Sequence, residues 1–119
     1  MILPAEDNLT IYRGATFLRQ WQWKTGEVPA PVDLTGASLA MHVRPYPASQ
    51  RILVSANNQN GRLDFENASE GRIRLLLSAA ETELLDFDNG VYDVMVTLAD
   101  TTVWPLLRGK VEMLQRVTR

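Results

Sequence analysis

The last quarter of this 119-residue chain alternates too regularly for anything but a strand. From Gly90 onward, Tyr92, Val94, Val96 and Leu98 interleave with Val91, Asp93, Met95 and Thr97. That period of two predicts a strand with one buried face. Asp100-Thr101-Thr102 then predicts a reversal, with Val103 to Leu107 returning beside the first strand.

The same period recurs upstream. Leu9 to Tyr12 reads as a short strand ending near Gly14. Phe17, Trp21 and Trp23 share one face of the next segment, with Gln20, Gln22 and Lys24 on the other. Arg19 breaks the apolar face and Leu18 the polar one. These indoles are large enough to fill much of a small core; exposed, they would form a stacking platform for sugars or peptides. After a connection punctuated by Gly26, Pro29, Pro31 and Gly36, Leu39, Met41 and Val43 alternate with Ala40, His42 and Arg44. Pro45 and Pro47 end that strand, because proline cannot donate to a ladder. Ile52 to Ser55 reads as a brief edge strand, and Asn60-Gly61 as a hairpin turn. Leu63 to Asn67 and Arg72 to Leu77 are further alternating pieces. Ser78-Ala-Ala-Glu81 is a capping-box pattern and predicts a short helix over 79–86, with Leu84 and Leu85 as its apolar contacts. Seven to nine short antiparallel strands, with turns at intervals of roughly ten residues, predict an all-β sandwich or small barrel.

Composition narrows the function more by exclusion. An apolar content of 45% and a charged content of 22% describe one globular domain with its own core. A net charge of -2 is unsuited to general nucleic-acid binding, and Arg62, Arg72 and Arg74 read as solvated positions. The chain has no cysteine, so thiol catalysis, disulfides and thiolate metal sites are all absent. The first residues have no basic, apolar leader pattern, and no run of about 18 apolar residues predicts a membrane span. The expectation is a soluble protein made in a cytoplasm, needing no cofactor.

Candidate chemistry is sparse. His42 is the only histidine and falls on the polar face of its strand. Asp86-Phe-Asp88-Asn-Gly90 faintly resembles a calcium loop, but the twelfth position holds Thr97 where a glutamate is needed. Asp64, Glu66 and Asp93 could serve as a glycosidase pair only if the fold set them opposite one another. Phosphate loops, nucleophile elbows and histidine-rich metal spacings do not occur.

One ordered set of motifs goes further. Val32-Asp-Leu-Thr-Gly36 is followed by Ala40-Met-His-Val-Arg44, then by Gly71-x-Ile-x-Leu-x-Leu-Ser-Ala-Ala-Glu-Thr82. Gly90-Val-Tyr-Asp-Val-Met-Val-Thr97, Leu107-Arg-Gly-Lys-Val111 and a closing Val117-Thr-Arg119 complete it. Over about 33–119, this order resembles small structural proteins of tailed bacteriophages and prophages. The resemblance implies an immunoglobulin-like β-sandwich in the virion, serving as a non-enzymatic module of the tail, baseplate or fibre attachment. It also implies other virion proteins as partners, a homo-oligomer or symmetric ring, and neither nucleic acid nor membrane as ligand. Capsid decoration and glycan or host-receptor binding are the alternatives. Candidate contact residues are Tyr46, Ile52, Val54, Trp104, Arg108 and Arg119, with residues 1–8 as an extended arm and 114–119 as a contact tail. The chain differs from the family pattern at Thr101-Thr102, where a glycine-containing turn is expected, and at Trp104-Pro105, which predicts an edge or bulge.

Overall fold

A computed structural model describes residues 5–25 and 30–118. Among them lie eleven strands: β1 (Ala5–Glu6), β2 (Leu9–Tyr12), β3 (Phe17–Gln22), β4 (Lys24–Thr25), β5 (Ala30–Pro31), β6 (Ser38–Arg44), β7 (Val54–Asn57), β8 (Leu63–Asn67), β9 (Arg72–Leu77), β10 (Asn89–Thr97) and β11 (Val103–Leu114). Three of these are only two residues long. The other eight fall within the expected seven to nine.

The strands form two sheets. The larger runs β1-β11-β10-β6-β7, with β2 also on β11; the smaller runs β3-β9-β8, and β4-β5 form a separate ribbon. The inward residues meet in one core, as alternation requires. Leu39, Met41 and Val43 of β6, with Tyr92, Val94 and Val96 of β10, face Leu63, Ile73, Leu75 and Leu77 of the smaller sheet. Each such side chain stabilises the fold by about 1.5–3 kcal/mol over an exposed one.

Most pairings are antiparallel, but not those of the first strands. Ala5 and Glu6 pair in parallel with Leu107 and Arg108, and Leu9 to Tyr12 in parallel with Val111 to Leu114. Of the expected 1–8 arm, residues 5–8 are therefore docked on the large sheet, and residues 1–4 lie outside the described residues. Asp7 N–H donates to the Arg108 carbonyl, and Lys110 N–H to Asn8 Oδ1. Gly109 makes this close approach possible. A Cβ there would lie 2.1 Å from the Asp7 carbonyl oxygen.

The closing hairpin carries both features expected of its odd residues. Met95 pairs with Pro105 and Val94 with Leu107, so Leu106 bulges out of the ladder. The bulge lets the consecutive residues Leu106 and Leu107 both point inward and absorbs the missing proline donor. At the turn, Thr101 adopts φ +73°, the conformation for which glycine is expected. Asp100 Oδ1 accepts from Thr102 N–H at 2.9 Å and braces that turn.

Two local expectations differ from the structure. The Asn60-Gly61 turn does not close a hairpin, because β7 belongs to the large sheet and β8 to the small one. It carries the chain across the sandwich. The helix α1 spans only Ala79–Glu83, capped by the full Ser78–Glu81 box. Leu84 at its end is 82% exposed and Leu85 only partly buried. The buried anchor is Thr82, whose Oγ1 accepts from Gly14 N–H and lies 2.8 Å from the Ala15 carbonyl.

Candidate interaction surfaces

Register places the polar residues of the large sheet in rows on its outer face. His42 of β6, Asp93 of β10 and Arg108 of β11 form one row, with Arg44, Val91 and Lys110 forming the next. Arg44 is fixed by the Ser49 carbonyl at 2.9 Å and lies 3.2 Å from His42 Nδ1. Glu6 approaches Arg108 at 3.9 Å. Together with Pro47 and Pro105 these residues frame a shallow depression of about 530 Å³. Arg44, Arg108 and Lys110 there oppose Glu6 and Asp93, so cations slightly outnumber anions.

The candidate contact residues divide. Tyr46, 60% exposed, and Ile52 stand at the surface beside this face. Arg108 is exposed within the depression. Val54 is not a surface residue: at 5% exposure it points into the core opposite Val43, because β7 turns its even-numbered side chains inward. Trp104, opposite Val96, packs partly buried against the core. Arg119 lies outside the described residues. In the tail, Val117 is exposed while Arg116 reaches back to Glu83 at 3.7 Å.

The residues considered for chemistry do not converge. Asp64 pairs with Arg74 at 3.1 Å and Glu66 accepts from Gln20, both on the small sheet. Asp93 lies on the outer face of the large one. In the 86–90 loop, backbone carbonyls hold the fold: Phe87 accepts from Arg13 Nη2 and Asp88 from Met113 N–H. Among the described residues, no three histidine or acidic side chains come together. No helix of the described residues is long and apolar enough to cross a membrane.

The tryptophans are not gathered on one surface. Trp21 and Trp23 pack against the core from the small-sheet side, Trp104 from the large. Trp21 Nε1 donates to Asp7 Oδ2 at 2.8 Å, and Arg19 forms a two-point ion pair with the same carboxylate. Asp7 gave no sequence signal of this role, being one acid in a short polar stretch.

The strand edges differ in a way that alternation alone does not reveal. On β7, the outward backbone groups are already occupied. The Asn60 carboxamide donates to the Ser55 carbonyl at 3.0 Å and accepts from Asn57 N–H at 3.1 Å. Arg62 Nη1 adds a second bond to the Ser55 carbonyl. Asn60 thus imitates the peptide group of a neighbouring strand and blunts that edge. On β3 no such cap exists among the described residues.

This architecture is an immunoglobulin-like β-sandwich. Its similarity to the extracellular domain of the voltage-gated sodium channel β4 subunit spans 98% of each chain, at 15% identity and a TM-score of 0.53. That domain is described as forming parallel homodimers that explain its role in cell-cell adhesion. Neither a protein-family model nor a curated protein matches the chain.

Proposed function

We propose that this chain is a non-enzymatic contact module of a tailed-bacteriophage particle, made in the host cytoplasm and built into the tail, baseplate or fibre-attachment region. The motif order over 33–119 supports that setting. The observation that carries the contact role is the division of labour among the side chains. The acids considered for chemistry are split between two sheets, two of them held by Arg74 and Gln20. Exposed apolar residues such as Leu18, Tyr46, Ile52 and Val103 remain available at the surface. Other virion proteins are the intended partners, and self-association into a dimer or ring fits the same surfaces. The parallel homodimers of the channel-subunit domain support self-association as a use of this fold.

The test is the composition of purified particles from the phage or prophage that encodes the chain. Quantitative mass spectrometry is expected to find it at a fixed ratio to the tail proteins, and cryo-electron microscopy to place it there. Its absence from particles overturns the proposal. A position on the capsid shell instead makes it a decoration protein.

A further inference from the structure

We infer that the outer edge of β3 is a self-pairing surface, on which a second copy of this chain docks antiparallel about a twofold axis at Gln20. This rests on the contact-module reading and names one partner for it.

The phase of the ladder shows what β3 offers. Trp23 N–H donates to the Gly71 carbonyl, and the register continues through Trp21↔Ile73, Arg19↔Leu75 and Phe17↔Leu77. Bonded and non-bonded pairs alternate along an antiparallel ladder. Residues 17, 19 and 21 therefore direct their backbone groups toward β9, and Trp23 its N–H toward Gly71 while its carbonyl accepts from Val32 N–H. The backbone groups of Leu18, Gln20 and Gln22 point outward, and no other described group meets them. β3 also lacks three common protections of an edge: it has no proline, no lysine and no bulge. Its one charge, Arg19, is held in an ion pair with Asp7.

Self-complementarity identifies the occupant. With Gln20 opposite Gln20 of the second copy, Leu18 faces Gln22 of the second copy and Gln22 faces its Leu18. All the outward groups then match, since every paired residue is even-numbered. On the inward face, Arg19 comes opposite Trp21 of the second copy, and the reverse. The Arg19 side chain is 44% exposed and Trp21 only partly buried, so guanidinium and indole can meet as a cation–π pair. On the outer face only uncharged Leu18, Gln20 and Gln22 adjoin. Sliding the register by one residue pair sets Arg19 against Arg19 in one direction and Trp21 against Trp21 in the other, so only the Gln20 register gives each Arg19 a Trp21 to meet. The result is one continuous sheet through two small sheets, a mode of strand addition.

The absence of cysteine makes the test specific. In a hydrogen-bonded pair the two Cα atoms at position 20 stand ~5.5 Å apart, within disulfide reach. Mild oxidation of Gln20→Cys is expected to give covalent dimer in high yield, and Ser55→Cys on the capped edge little. Sedimentation equilibrium of the natural chain is expected to show a concentration-dependent dimer. Gln20→Pro loses an outward N–H and the exposed side-chain bond to Glu66 but no ladder bond to β9, and should keep its circular dichroism while associating ~10-fold more weakly or worse. Equal cross-linking of both cysteine variants, or an undiminished dimer in Gln20→Pro, overturns the inference. A natural chain that stays monomeric yet is present in particles also overturns it, and leaves the contact-module reading standing.

Discussion

Asp7 and Trp21 tie the two layers of the sandwich together. The indole Nε1 of Trp21, on the small sheet, donates to the Asp7 carboxylate at 2.8 Å. Asp7 is itself fixed to the large sheet through its backbone. Its N–H donates to Arg108, and its carbonyl accepts from the Tyr92 hydroxyl at 2.5 Å. Arg19 completes the clamp.

The clamp should titrate. Burial raises the Asp7 carboxyl, but the hydrogen bonds from Arg19 and Trp21 and the charge of Arg19 outweigh it, leaving the group below the usual carboxylate range. A depressed folded value stabilises fully above the unfolded pKa of ~3.9, and that contribution is lost as pH falls through the folded value. Asp7→Asn is expected to flatten the acid limb of a stability–pH curve measured by urea denaturation. Asp7→Ala, which also strands the Trp21 N–H, should cost ~1–3 kcal/mol at neutral pH.

Thr82→Val keeps the shape and removes the hydroxyl. Thr82 is 0% exposed, and its Oγ1 serves Gly14 N–H, with the carbonyls of Ala15 and Ala79 both within reach. A valine leaves the half-buried Gly14 amide without its partner. The expected loss is ~1–3 kcal/mol in denaturant unfolding, with an unchanged m-value.

Gly109→Ala should undo the docking of the first strand. A Cβ 2.1 Å from the Asp7 carbonyl oxygen cannot be accommodated without moving backbone. Hydrogen exchange is expected to show lost protection at Ala5 and Asp7, whose amides face β11, with the core amides of β10 still slow. The overall destabilisation should be ~3 kcal/mol or more.

Thr101→Gly should do the opposite. A β-branched residue at φ +73° is strained, and glycine removes the strain at some entropic cost. A net gain of ~0.5–1 kcal/mol is expected, read as a higher unfolding midpoint.

Much of this architecture is written locally in the chain. The strands Ser38–Arg44, Leu63–Asn67 and Arg72–Leu77 coincide with their runs of alternation, because each has one wet and one dry face. The Ser78–Glu81 box and the Pro105 irregularity follow from residue chemistry alone. What escapes a local reading is partnership. The parallel docking of β1 and β2 depends on a strand about a hundred residues away. Asn60-Gly61 has the same turn signal whether it joins one sheet or crosses between two. Alternation placed Val54 on a strand but could not say which of its faces was dry. The site was legible in the same measure. Tyr46 and Ile52 are exposed as a proline-rich break and a sheet edge suggest, whereas the bare flank of β3 leaves no trace in its own side chains.

The parallel pairing of β2 with β11 also orders events in time. Leu9 to Tyr12 are synthesised about a hundred residues ahead of their partners Val111 to Leu114. Ribosomes extend chains at about 5–20 residues per second, so the opening segment waits several seconds for its ladder. During that interval Leu9 and Ile11, both buried in the finished fold, are exposed. Closing contacts this distant in sequence slows folding. Completion of β11 is thus the step that releases the first strand from solvent.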